Sequence, residues 1–195
     1  MGLNKQQMNF EKDIEASLET LHNGGLILYP TDTIWGIGCD ATNEKAVEKV
    51  FQLKRRSDEK ALIVLAADER DVMKHVAAPD LSLFDYLATT TKPTTVIYDG
   101  ALGFADNLIA GDGSVAIRIC HDEFCRHLLR RFRRPLVSTS ANISGMPPPK
   151  NFKDISEEIK KGVDHIVTYR QDDDTPAQPS SVIKWDQGKV TVIRE

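Results

Sequence analysis

One stretch decides the fold class: GGLILYPTDTIWGIGCDA, at residues 24–41. Its leading glycines end a helical pattern of apolar residues spaced by four and three, namely Phe10, Ile14, Leu18 and Leu21. Leu26–Tyr29 is a short apolar run closed by Pro30, which indicates a buried strand. That strand leads into the polar loop Thr31-Asp32-Thr33. A helix, a buried strand and a polar loop therefore follow one another along this part of the chain.

The alternation of helix and strand continues along the chain. Helical patterns begin at Thr42 or Asn43 and recur at Val72–His75, Leu81–Ala88, Phe124–Phe132 and Phe152–Ile159. Strand patterns are Ala61–Ala66, Thr94–Tyr98, Val115–Ile119 and Leu136–Val137, followed by Ile166–Tyr169, Ser181–Lys184 and Val190–Ile193. Strands interleaved with helices, then clustered at the end, predict one α/β domain with a mixed sheet over residues 1–195.

Composition excludes several classes of protein. Of 195 residues 41% are hydrophobic and 28% are charged, which is typical of a globular domain. A net charge of −4 provides no global attraction to nucleic acid or to an anionic membrane. The longest apolar run, Ala61–Ala67, is far shorter than the roughly 20 residues of a membrane-spanning helix. Three irregularly spaced cysteines and an N-terminus without an export signal predict a cytoplasmic protein.

Two basic clusters need separate explanations. Lys54, Arg55 and Arg56, with Lys60 nearby, lie where a helix is predicted to end, so they are either a solvated helix end or a polyphosphate site. The second cluster contains Arg126, Arg130, Arg131, Arg133 and Arg134. Its helix has an apolar stripe and no interleaved aromatic platform, so we expect a solvated face rather than an RNA patch.

Other chemistry-bearing residues are few. Ser138, Ser140 and Asn142 alternate at the end of a strand, where they form either a polar turn or one wall of a ligand crevice. The chain lacks GxxxxGK[ST] and GxGxxG motifs, so any ATP site is unconventional. Cysteine and histidine residues at 120–127 fit no common zinc spacing, and we predict core packing there and no metal site.

Five pieces of the chain, in order, resemble the YrdC-like family of threonylcarbamoyl-AMP synthases. They are GGLILYPTDTIWGIGCDA (24–41), LKRRSDEKALIVL (53–65), VAIRI (115–119), PLVSTSANISG (135–145) and PSSVI (179–183). The resemblance implies a single twisted mixed sheet with helices on its faces and a concave basic site. It also implies that L-threonine, bicarbonate and ATP are joined into L-threonylcarbamoyl-adenylate with release of pyrophosphate, Mg²⁺ arriving with ATP. Other proteins then transfer the group to tRNA.

The resemblance also implies roles for particular residues. Lys54 and Arg56 would be catalytic and, with Lys60, would hold phosphates. Threonine would be bound by Thr31, Thr33, Arg118, Ser138 and Ser180. ATP would also contact Ser140, Asn142 and Arg194.

The chain departs from the family pattern at Ala61, Leu65 and Ser181, which bears on the threonine contacts. The alternative function is a noncatalytic RNA-binding paralogue of YciO type, for which contact with tRNA or double-stranded RNA would be expected. Ser140-Ala141-Asn142 favours the synthase, because the YciO-type branch tends to lose that tripeptide.

Overall fold

The computed structural model describes residues 10–56 and 62–195. The α-helices of this part are α1 (Glu11–His22), α2 (Glu44–Lys54), α3 (Glu69–His75), α4 (Ser82–Thr89), α5 (Glu123–Phe132) and α6 (Glu157–Gly162). The strands are β1 (Ile27–Tyr29), β2 (Gly36–Gly38), β3 (Ile63–Ala66), β4 (Thr94–Tyr98), β5 (Val115–Ile119), β6 (Leu136–Ser140), β7 (His165–Ile166), β8 (Ser181–Asp186) and β9 (Lys189–Arg194).

The described strands form one sheet in the order β7-β1-β2-β6-β3-β5-β4-β8-β9. Three neighbouring pairs are parallel, namely β1 with β7, β3 with β5 and β4 with β8. The other pairs are antiparallel. The mixed sheet and the α/β class predicted from the sequence are therefore confirmed.

Alternation along the strands divides the core between the two faces of the sheet. Val64 lies in a cluster with Val47 and Phe51 of α2, whereas the adjacent Leu65 packs with Phe124 of α5. Successive residues of a strand point to opposite faces, so α2 and α5 lie on opposite sides. The helices bury their apolar stripes against the sheet, and this burial is the main source of stability.

The helix boundaries follow from side chains that pair exposed backbone groups. The amide oxygen of Asn43 accepts from the N–H of Ala46 and begins α2, and the carboxylate of Asp122 accepts from the N–H of Cys125 and begins α5. Arg55 and Arg133 end these two helices with φ of 51° and 57°. The chain reversal after each of these two helices therefore carries an arginine in the left-handed region.

Three details differ from the sequence-based expectation. Gly36–Gly38 forms β2. The sequence did not predict this strand, because glycine is uncommon in strands and two of its three residues are glycines. The predicted strand Ile166–Tyr169 is shorter and earlier, at His165–Ile166. Phe152 lies in a 3₁₀ turn that precedes α6, since Ser156 caps α6 and sets its start at Glu157.

Among the described helices, none has the length and apolar character that crossing a bilayer requires.

Gly38 provides a test of how tightly β1 and β2 pack. A Cβ at this position would lie 2.7 Å from the ring of Tyr29 and 3.0 Å from the carbonyl oxygen of Val137. Gly38→Ala should therefore lower the free energy of unfolding by about 1–3 kcal/mol. Chemical denaturation measures this, with Gly111→Ala as the control, because a Cβ at Gly111 meets nothing within 4 Å. Equal stability of the two variants would contradict the packing described.

Candidate active site

A cavity of about 360 Å³ opens on the face of the sheet that carries Arg118. Seven of the predicted site residues line it: Thr33, Arg56, Arg118, Ser138, Ser140, Ser180 and Arg194. A second cavity of about 480 Å³ adjoins the first and shares Thr33, Trp35 and Pro179 with it. The concave basic site expected from the sequence thus has a definite place, across strands β6, β3, β5 and β4 and the start of β8.

Arg118 is the most deeply placed charge of the cavity. It lies on β5 between Leu65 of β3 and Thr95 of β4, and only 3% of it is exposed. Its Nη2 lies 3.1 Å from Oδ1 of Asp32, close enough for an ion pair but out of line for a hydrogen bond. Its Nε and Nη2 have no hydrogen-bond partner within the described part of the chain. A buried guanidinium with unused donors at a cavity is suited to a carboxylate or phosphate.

Two further guanidinium groups line the same cavity. Arg194 donates from Nη2 to the carbonyl oxygen of Ser180 at 2.9 Å. Burial lowers the pKa of Arg194, and the nearby charge of Arg118 lowers it further. Burial also lowers the pKa of Arg56. Partial desolvation and like-charge repulsion both disfavour these cations, and an anionic ligand would relieve both effects.

Lys54 does not line the first cavity but contacts the loop next to it. It is 1% exposed, and its Nζ donates to the carbonyl oxygens of Ser140 and Asn142, at 2.6 Å for the latter. Burial, with a smaller contribution from Arg56, lowers the pKa of Lys54 from 10.5 to about 7. In this structure Lys54 fixes the loop that follows β6.

The hydroxyl groups of the site come from neighbouring strands. Ser138 and Ser140 point to the same face of β6, and Ser138 is adjacent to Ile63 of β3. A Cβ at Gly36 would lie 3.1 Å from Oγ of Ser138, so the glycine keeps space beside this hydroxyl. Oγ of Ser180 lies 2.8 Å from Oγ1 of the fully buried Thr95. Strand pairing and these contacts therefore place the hydroxyls.

The loop between β1 and β2 is closed by its own threonines. Oγ1 of Thr31 donates to the carbonyl oxygen of Ile34 at 2.9 Å and accepts from the N–H of Thr33 at 3.0 Å. Thr31 is 2% exposed and lies on the second cavity, while Thr33 lies on both. The loop thereby directs the carboxylate of Asp32 toward Arg118.

Of the other predicted residues that the structure describes, none lines the first cavity. Asn142 donates from Nδ2 to the carbonyl oxygens of Ile143 and Met146 and so stabilises its own loop. Lys60 lies outside the described residues, as does Ala61. Sequence reasoning missed Thr95 and the role of Asp32. The signal for Asp32 was present, since an acidic residue between two threonines follows a buried strand.

The second basic cluster lies elsewhere. Arg131 pairs with Glu11 of α1, and Arg134 lies 2.7 Å from Asp40. None of the five arginines lines either cavity described above.

Cys120 and Cys125 are fully buried in the core, and no group of metal-binding side chains occurs among residues 10–56 and 62–195. That part of the chain therefore agrees with the predicted core packing of the cysteines.

Fold and site together define a class: an α/β domain whose sheet gathers arginines and hydroxyls around one cavity. The family model for Sua5, YciO and YrdC proteins, described as "Telomere recombination", matches residues 19–195. The chain belongs to this family.

Named relatives make the comparison more specific. The threonylcarbamoyl-AMP synthase of Idiomarina loihiensis is 36% identical over 146 residues, which cover 73% of this chain and 78% of the relative. The enzyme of the same name from Stenotrophomonas maltophilia is 35% identical, with 80% of this chain and 86% of the relative covered.

Solved structures agree on the fold. P. abyssi Sua5 complexed with L-threonine has a TM-score of 0.83 at 23% identity, covering 94% of this chain and 54% of that one. E. coli YciO has a TM-score of 0.78 at 20% identity, covering 94% of this chain and 89% of that one. The chain thus spans about half the length of the Sua5 protein that it matches, and the twisted mixed sheet with helices on its faces is confirmed.

The buried position of Lys54 predicts a dependence of stability on pH. Between pH 7 and 10.5 the unfolded chain keeps the proton of Lys54 and the folded chain has lost it. The free energy of unfolding should therefore rise with pH in this window and be flat, as far as this group is concerned, below it. Lys54→Met should remove that rise.

Urea denaturation between pH 6.5 and 9.5 measures the effect as the difference between the parent and the variant. Lys49→Met is the control, because Lys49 is on the same helix and also donates to a carbonyl oxygen, that of Gly24, but at the surface. Parallel curves for the parent and Lys54→Met would contradict the shifted pKa.

Proposed function

We propose that this chain is a threonylcarbamoyl-AMP synthase, which condenses L-threonine, bicarbonate and ATP and releases pyrophosphate. The observation that carries the proposal is the convergence of Arg56, Arg118 and Arg194 on one cavity bordered by serine hydroxyls. The reaction brings together a carboxylate, a carbamate and a triphosphate, so it needs several cations in one place. The names of the relatives at 35% and 36% identity support the same activity.

Each cation can be given a part in this reaction. Arg118 is proposed to bind the carboxylate of threonine, since its unused donors lie at the cavity and its fork suits a carboxylate. Thr33, Ser138 and Ser180 would surround the rest of the amino acid. Arg56 and Arg194, with Ser140, would hold the phosphates, and Lys60 would join them.

Lys54 and Asn142 are proposed to act on ATP through the loop 140–142. Both groups hold this loop, which carries Ser140 to the cavity wall. A direct contact of Lys54 with phosphate would require its ammonium to leave two carbonyl oxygens.

The chemistry needs positioning more than a protein nucleophile. The amine of threonine attacks the carbon of bicarbonate, and loss of water gives the carbamate. A carbamate oxygen then attacks the α-phosphorus of ATP, and pyrophosphate leaves with the bonding electron pair. Fixed cations stabilise the charge that develops on the phosphate oxygens, and holding the carbamate beside the α-phosphorus favours its attack over its breakdown.

Mg²⁺ is proposed to enter as part of the ATP substrate. Among residues 10–56 and 62–195, those that line the first cavity supply hydroxyl and carbonyl oxygens but no carboxylate. This donor set suits a magnesium ion that the triphosphate itself carries, since Mg²⁺ keeps several waters and few protein ligands.

The product would be passed on within the cytoplasm. Its mixed anhydride is reactive, so we propose that it is consumed by other proteins that transfer the threonylcarbamoyl group to tRNA. The cytoplasmic location is supported by Cys39, Cys120 and Cys125, which are free thiols buried in the core. Contact with tRNA or double-stranded RNA at the concave face is the alternative function.

The first test is pyrophosphate release. Release should require threonine and bicarbonate together, because the attacking group is the carbamate that they form. It is measured with each substrate omitted in turn. Release that is unchanged without either substrate would rule out this reaction, and a chain that binds RNA but releases no pyrophosphate would have the alternative function.

The second test concerns the amino acid. Valine should react at least about tenfold less efficiently than threonine, because a hydroxyl left unpaired in a buried site costs about 1–3 kcal/mol. Serine retains the hydroxyl and should lose less. Arg118→Ala should weaken threonine binding, whereas Arg130→Ala, an exposed residue away from the first cavity, should not.

Specificity constants for the three amino acids measure this selectivity, with threonine titrations for the two variants. Full threonine affinity in Arg118→Ala would show that the amino-acid pocket has been placed wrongly even if ATP binds as proposed.

A further inference from the structure

An arginine outside the first cavity is tied to the loop that borders it. Arg170 follows β7 and is partly buried, with 30% of its side chain exposed. One terminal nitrogen, Nη1, donates to Oδ2 of Asp122 at 2.6 Å. The other, Nη2, donates to the carbonyl oxygen of Thr31 at 2.7 Å. Arg170 thus joins the start of α5 to the loop between β1 and β2.

The backbone around Arg170 is itself fixed. Asp13 of α1 is 5% exposed and accepts three hydrogen bonds of 2.9 Å, from the N–H and hydroxyl of Thr168 and from the N–H of Tyr169. The ring of Tyr169 packs against Phe10 at 5.1 Å between centroids. Arg170 therefore extends from a rigid base that belongs to the core.

Asp122, which accepts from Arg170, is also held in place. Asp122 uses its Oδ1 to begin α5, accepting from the N–H of Cys125 at 2.9 Å. The thiol of Cys125 in turn lies 3.3 Å from the carbonyl oxygen of Pro30. Two successive carbonyl groups, those of Pro30 and Thr31, are thus held by residues outside the loop.

We propose that Arg170 is a positioning residue for the amino-acid half of the site. It holds Thr31, whose hydroxyl closes the loop, and the loop directs Asp32 toward Arg118. The role in substrate binding rests on the proposed function, since Arg118 is there assigned to the carboxylate of threonine. Arg170 lines the second cavity, but both of its terminal nitrogens already have partners in the protein and its Nε is buried, so it acts through the loop.

The arrangement requires the forked guanidinium group of an arginine. A guanidinium can donate to two acceptors on different elements at once, with its plane fixed by both. An ammonium carries all its donors on one nitrogen, so it cannot occupy the two separate positions that Nη1 and Nη2 take beside Asp122 and Thr31. Arg170→Lys should therefore keep the charge and lose much of the effect.

The experiment compares Arg170→Gln, Arg170→Lys and Asp122→Asn with the parent chain. The KM for threonine should rise about tenfold in Arg170→Gln, the usual size for a lost hydrogen bond to a charged group. The KM for ATP should stay within about twofold, because the interaction is confined to the threonine side. Asp122→Asn retains an acceptor for the helix start and should shift the threonine KM in the same direction.

Arg131→Gln is the matched control. Arg131 also forms an ion pair, with Glu11, but contacts no part of the loop. It should leave both KM values unchanged, and thermal unfolding of every variant shows that the fold is retained. If Arg170→Gln leaves the threonine KM unchanged, or raises both KM values equally, the proposal is overturned.

A second measurement does not depend on the enzymatic reaction. Hydrogen exchange of the ligand-free chain should show faster exchange at residues 31–34 in Arg170→Gln than in the parent, with β5 unchanged. Unaltered exchange in the loop overturns the positioning role. Failure of the parent to release pyrophosphate, with faster loop exchange in the variant, would instead overturn the proposed function and leave the bridge in place.

Discussion

A guanidinium buried in the middle of the sheet is the constraint on which the site depends. Removing Arg118 from water costs several kcal/mol, and the ion pair with Asp32 returns only part of this cost. The ion pair therefore adds little to the stability of the fold, but it fixes the conformation of the loop that carries Asp32. Because Asp32 must lie in one place, the loop around it must have one conformation, and the donors of Arg118 are aligned before any ligand arrives.

The sequence predicted the parts of the fold that depend on long apolar patterns. The stripe of α5 and the alternation of β5 were both found in the structure, since the period of each element determines which side chains share a face. β2 could not be predicted, because Gly36–Gly38 is a strand only through its pairing with β1 and β6. The start of α6 depended on a single capping serine, Ser156, which a periodic pattern does not reveal.

The candidate site shows the same division. Residues on strands, such as Arg118 and Ser138, reach the cavity because alternation sets the face on which they lie. The contacts of Lys54 could not be predicted from the sequence. A lysine at a helix end is a candidate phosphate ligand, but the Nζ of Lys54 donates to two carbonyl oxygens of a loop more than 80 positions away. Contacts of such long range, like that of Arg170 with Thr31, have no local signature.

One wall of the cavity is built from the outermost hairpin of the sheet. β9 pairs only with β8 within the described residues, and Val192 and Ile193 are more than half exposed. Arg194, at the end of β9, nevertheless lies on the cavity. Strands of this kind open locally at a small fraction of the free energy needed to unfold the core. Arg118 thus lies on a strand paired on both sides, whereas Arg194 lies on the edge strand β9. Local opening of β9 would let large ligands enter and leave without disturbing the strands that hold Arg118.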